Sequence, residues 1–286
     1  IVSFIDISNS KSGGQDTYNI VLWLSLQLIN DLTAYNGLAG KTLRQDIAKI
    51  VLSIAHLRDI LNEKLLQIDT ASGTINQTSC LLSGMSEREY ADLLKLKFLA
   101  VDTLSNLAID EEVRDVIGRT GGIMYSLFTL FFLDLGGGIH DAEEYRFKPH
   151  IHKLRVKIAT VAGKALSLLS LPRFDNTVSR NCVRMLRIRP QDIMGECQLT
   201  SFNNRLSKIS SINSLTNLSA ANDREAINPS IVDALMYGIG NYKVDPRGQH
   251  ALFILRNFWE GKDECKFSDD CKMRFAQSFT PQVLYN

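Results

Sequence analysis

The residues that could act on a substrate or hold an ion fall in three places. Gly136-Gly137-Gly138 follows an apolar run, where a phosphate-cradling loop would stand. No Gly-Lys-Ser/Thr follows, and the glycines lack the GxGxxG spacing behind a strand, so a flexible insertion is the better reading. His140, Asp141, Glu143, Glu144, His150 and His152 are metal ligands by type, but their spacing fits no known site and they read as solvated loop side chains. Cys265 and Cys271 stand six apart with acids between them; zinc would need two further ligands in range, so free thiols are the reading. No Gly-x-Ser-x-Gly or other nucleophile motif occurs. No catalytic, cofactor-binding or metal-ligating residue is therefore assigned, and neither an enzyme nor a cofactor is expected.

Charge offers a further candidate. Between Asn176 and Gln191 there are four arginines and no acid, and Arg180, Arg184 and Arg187 share one face of a predicted helix over 178–188. As a solvated face this needs no function; as a binding face it would dock an acidic partner segment or phosphates. Asp110, Glu111, Glu112 and Asp115 form a smaller acidic cluster, read most simply as a helix N-terminus.

The whole chain sets the frame. Its 286 residues carry a net charge of +1, with 45% hydrophobic and 22% charged residues. These are ordinary values for a folded domain. The near-zero charge argues against a general nucleic-acid binder. Five cysteines at 80, 182, 197, 265 and 271, an odd number without a CxxC pair, read as reduced thiols of the cytosol or nucleus. No signal peptide and no run of 18 apolar residues is present, so no membrane partner is expected. The first residue is Ile1 rather than Met, which reads as a fragment of a longer protein.

Helical periodicity recurs along the chain and alternating strand patterns are nearly absent, which predicts an all-α fold. Residues 98–133 show it best. Phe98, Val101, Leu104, Leu107 and Ala108 recur at three- and four-residue steps on one helix face; Asp110, Glu111 and Glu112 open a second helix with stripe Val113, Val116 and Ile117; Gly121-Gly122 stops it. Ile123 to Leu133 is apolar on nearly every side except Ser126 and Thr129, so neighbours must cover it all round. Other helices are predicted over 18–32 (buried), 41–68 (one helix or a pair), from Ser86 by a Ser86–Glu89 capping box, and over 151–171, 178–188, 203–218, 229–239, 248–259 and 267–279. Trp23 and Trp259 are expected in the core. Residues 1–19 and 134–149 read as irregular.

Three helix ends look alike: Thr103-Leu104-Ser105-Asn106-Leu107, Ser214-Leu215-Thr216-Asn217-Leu218 and Ile254-Leu255-Arg256-Asn257-Phe258. Asn217 and Asn257 are 40 residues apart, the period of armadillo or HEAT units. The segment LSNLAIDEEVRDVIGRTGGIMYSLFTLF resembles the armadillo repeat: a long third helix ending Leu-x-Asn-Leu, a short first helix, a Gly-Gly turn and a second helix. The resemblance covers 98–171 well and 203–260 less well, about half the chain. It implies a single domain over 1–286, a right-handed α-solenoid of about five irregular repeats. In peptide-binding armadillo proteins the asparagine lines a concave groove beside a tryptophan four residues earlier; here Asp102, Asn213 and Phe253 stand at that place. DTLSNLAIDEEVRDVI and HALFILRNFWEGKDECKF further resemble, in their order, the helical-repeat region of ARID-type subunits of SWI/SNF chromatin remodellers, and ataxin-10-like proteins are similar over the second. These resemblances imply a non-catalytic scaffold that holds other protein subunits of a large nuclear assembly, most specifically a core-binding remodeller subunit, with no indication of direct nucleic-acid contact. The alternative they imply is a soluble, cytoplasmic adaptor that binds extended peptides or partner proteins in a concave groove. Asn106, Asn217, Asn257, Arg180, Arg184 and Arg187 are the candidate partner-binding residues.

Overall fold

The computed structural model describes residues 15–49, 51–62, 87–132, 149–171, 181, 184–185, 187–190, 231, 234–236 and 247–260. Among them all regular structure is helical, as the periodicity predicts, and no strand occurs. Eight helices are bounded: α1 Gln15–Thr33, α2 Gly37–Lys49, α3 Val51–Asn62, α4 Glu87–Leu107, α5 Glu111–Arg119, α6 Ile123–Phe131, α7 Pro149–Leu169 and α8 Arg247–Glu260. The predicted helices over 203–218 and 267–279, Ser86 of the capping box, most of 178–188 and 229–239, and all five cysteines lie outside the described residues.

Helices α4 to α6 follow from local chemistry. Asp110 is the N-cap of α5 rather than part of its first turn: its Oδ1 accepts from the amides of Glu112 at 3.0 Å and Val113 at 3.5 Å. Glu111 and Glu112 then occupy the first turn, against the positive end of the helix dipole. Between α5 and α6 the chain turns at Gly122, whose φ of +90° is strained for any residue with a side chain. Helix α6 is buried almost throughout; only Tyr125 is exposed. Ser126, expected to break its apolar surface, is also buried, with its hydroxyl bonded to Asn62 and to the Gly122 carbonyl. Phe131 and Phe132 meet edge to face with centroids 5.0 Å apart.

The packing is successive. Helix α1 lies on α4, α4 on α7 and α7 on α8. Helix α3 packs on α4 and α6, α2 on α5, and α6 on α7. Between α4 and α7, and between α1 and α4, side-chain bonds join like ends. Arg155 of α7 donates through Nε and Nη2 to the Tyr90 hydroxyl of α4 at 3.0 and 2.8 Å, near the amino-terminal ends. Asn30 of α1 bonds Asp102 and Asn106 of α4 near the carboxy-terminal ends. Gly163 of α7 is the close approach to α8: a Cβ there would come within 2.7 Å of the Phe131 ring and 2.8 Å of His250 Cβ.

Helix α1 corrects an expectation. Leu22, Leu26 and Ile29, at steps of four and three, face the core, but Trp23 is 41% exposed and Leu24 and Leu28 more so. A dense apolar run shows that a helix has grease to bury; the neighbours decide how much is covered, and α1 packs mainly on α4 and α2. The side chain of Trp259 lies outside the described residues. Among the described residues no helix is long and apolar enough to cross a membrane.

Candidate interaction surface

Asn106 and Asn257 do the same job in two places, and it is an internal one. Asn106 sits at the end of α4 and is 8% exposed; its Nδ2 donates to Asn30 Oδ1 in the last turn of α1 at 2.9 Å. Asn30 in turn donates to Asp102 Oδ2 at 2.9 Å. Asn257 sits near the end of α8 and is 7% exposed; its Nδ2 donates to the Ser167 carbonyl at 3.0 Å and to Ser170 Oγ at 2.9 Å, at the end of α7. Each asparagine thus ties the end of its own helix to the end of the long helix packed against it. Neither amide is turned toward a groove, since both hydrogen-bond inside the fold, where an unmet polar group is costly. Asn217 lies outside the described residues.

Arg184 and Arg187 of the predicted arginine face lie among the described residues. Arg184 is half-buried in a helical stretch, and its Nη1 is buried without a hydrogen bond. Arg187 is exposed but stands past that stretch, in a turn closed by the Ile188 amide donating to the Met185 carbonyl at 3.2 Å. Arg180 lies outside the described residues.

Residues the sequence reading passed over matter more to the scaffold. Three buried cations cap the carboxy-terminal ends of helices other than their own. Arg44 of α2 donates to the carbonyls of Thr33 and Tyr35 at the end of α1, at 3.1 and 2.9 Å. Lys97 of α4, fully buried, donates to Ile60 and Leu61 at the end of α3, at 2.9 and 2.7 Å. Arg247 of α8 donates to the Phe131 carbonyl at the end of α6, at 3.4 Å. A helix end leaves carbonyls without partners and carries partial negative charge, so a donated cation meets both needs.

On the surface, the amino-terminal parts of α4 and α7 enclose an open groove of about 770 Å³, lined by Arg88, Ala91, Asp92, Lys95, His150, Lys153, Leu154 and Lys157. Asp92 is the one carboxylate among these lining residues, and Lys95 pairs with it at 2.8 Å. Arg88, Lys153 and Lys157 are exposed and have no carboxylate partner among the described residues. Half-buried Leu154 and buried Ala91 supply apolar surface. The signal for this groove was Arg88 and Lys95 on one helix and Lys153 and Lys157 on another, which nothing in one dimension brings together. His150 and His152 sit at the beginning of α7; among the described residues no group of three or more potential metal ligands gathers.

Compared with protein-family models, with curated proteins and with solved structures, the chain matches none.

Proposed function

We propose that this chain is a non-catalytic scaffold, built as an armadillo-like stack, that holds other protein subunits of an assembly. The observation that supports it best is the equivalent placement of Asn106 and Asn257. Both come from the look-alike helix ends, and both tie a long helix to the end of another. Residues that recur in sequence and recur in role are what a stack of similar units requires, since each unit covers its neighbour's apolar side. The meeting of like ends between α1 and α4 and between α4 and α7 favours the same reading, because an up-and-down bundle joins opposite ends. The exposed Trp23, Leu24 and Leu28 on α1 offer apolar surface to a partner.

The most specific form of the proposal, a core-binding subunit of a nuclear SWI/SNF-type remodeller, draws its support from the sequence resemblance. The test is to purify the tagged chain from cells and identify what travels with it, beside a variant carrying Trp23→Ser, Leu24→Ser and Leu28→Ser. A defined set of nuclear subunits that the variant loses, at unchanged stability, is the expected result. A monomer that travels alone overturns the scaffold reading.

A further inference from the structure

We infer that the groove between the amino-terminal turns of α4 and α7 receives a short acidic segment of a partner protein. This gives the scaffold a partner class and rests on that reading for its setting. The argument is charge complementarity. Among the described lining residues, Arg88, Lys95, Lys153 and Lys157 stand against one carboxylate, Asp92. In an exposed groove a lone pair of charges is worth little, but several cations around one concavity raise the local potential together. Two helix starts add their positive ends on the same side, as the Tyr90–Arg155 bond near both amino-terminal ends shows. Asp92 already holds Lys95 in the way a partner's carboxylate would.

The shape selects among anions. Arg88 to Lys95 spans about 10 Å along α4 at 1.5 Å per residue, and the volume lies in the range of ligand pockets. That suits a few residues of peptide. The Ala91 and Leu154 surface would take one apolar side chain of the segment. Among the described lining residues no side chain is aromatic to stack an unpaired base, and the chain's net charge of +1 is far from that of a nucleic-acid binder.

The test is fluorescence anisotropy of the full chain with a labelled peptide Glu-Glu-Leu-Glu-Glu, its glutamine counterpart, and a labelled oligothymidylate of equal charge. The glutamate peptide binds, binding weakens as salt rises, and the double variant Lys153→Glu, Lys157→Glu weakens it at least tenfold. Lys153→Arg with Lys157→Arg retains binding, and Asp92→Asn tightens it by releasing Lys95. Arginine at both places and the Asp92 variant keep the test decisive should charge reversal harm the fold. Equal binding of the glutamine peptide, indifference to charge reversal, or tighter binding of the oligothymidylate at the same residues overturns the inference. A chain that ignores the peptide yet enters an assembly overturns the groove alone; one that binds it and joins no assembly overturns the scaffold and leaves the groove.

Discussion

Lys97 places its ammonium 2.7 Å from the Leu61 carbonyl oxygen and 2.9 Å from that of Ile60, with no part of its side chain in water. A buried lysine is costly unless its donors are met, and the last turn of α3 meets them where the helix dipole is negative. The contact also welds α3 to α4 across a stretch of chain that lies outside the described residues.

Lys97→Met keeps the length and the apolar stem but removes the donors. It leaves two buried carbonyls without this partner, and we expect a loss of about 2 to 3 kcal/mol. Urea denaturation checks this: the midpoint falls while the slope holds. An unchanged midpoint would mean that water caps α3 as well as lysine does.

Much of this was written along one dimension. Of the predicted stripe, Val101, Leu104, Leu107 and Ala108 are buried and Phe98 is half-buried against the core. Asp110 and Gly122 mark a cap and a turn because few residue types serve there. Lys97 was legible too, for it occupies the stripe between Leu94 and Val101, where a cation must find a buried partner. Which partner was not, because the α3 carbonyls reach it only through tertiary packing. Trp23 misled for the complementary reason: its type says apolar, and its exposure depends on what packs against α1. The groove lay beyond reach, since Arg88 and Lys157 meet only once α4 lies on α7. The look-alike asparagines were visible as a repeat, but their inward bonds to Asn30 and Ser170 were not.

Asn30 fixes its neighbours' chemistry by using both ends of its amide. Its Oδ1 accepts from Asn106 Nδ2 while its Nδ2 donates to Asp102. Asn106→Ala leaves that Oδ1 only the longer bond from Thr103 Oγ1, at 3.5 Å, and should cost about 1 kcal/mol. Asn106→Asp should cost more, since it sets acceptor against acceptor; turning the Asn30 amide over to serve it would forfeit Asp102. A double-mutant cycle of Asn30→Ala with Asn106→Ala should show coupling of about 1 kcal/mol. Additive losses would mean the amide pair contributes nothing as a pair.

Gly163 inverts the usual rule for helices. In an exposed helix interior, Gly→Ala stabilises by about 1 kcal/mol. Here the added methyl would meet the Phe131 ring at 2.7 Å and His250 Cβ at 2.8 Å, neither of them the loose end of a flexible chain. Overpacking of this kind costs about 1 to 3 kcal/mol, so Gly163→Ala should lower the thermal midpoint. Phe131→Leu made in the same chain should restore part of the loss by giving the methyl room. A rise in midpoint on Gly163→Ala alone would show that α6 and α8 stand farther from α7.

His250 gives stability a pH dependence. Burial against α7 is the main cause that holds its imidazole below the usual value of 6.5, and the Lys164 ammonium adds to it. Ser167 Oγ lies 3.5 Å from Nδ1, and Gly163 underlies its Cβ. Unfolding frees the ring to take a proton at its ordinary pKa, so below about pH 6.5 the unfolded chain binds more protons than the folded one. The contribution is therefore fully present above that pH, declines as pH falls toward the depressed value, and levels off beneath it. Unfolding free energies measured in urea from pH 7.5 to 5 should show this decline, and His250→Gln should remove it while leaving the carboxylate-driven loss at lower pH. If the variant and the parent decline in parallel between pH 7 and 5.5, the ring is solvated in the fold and α8 does not press it against α7.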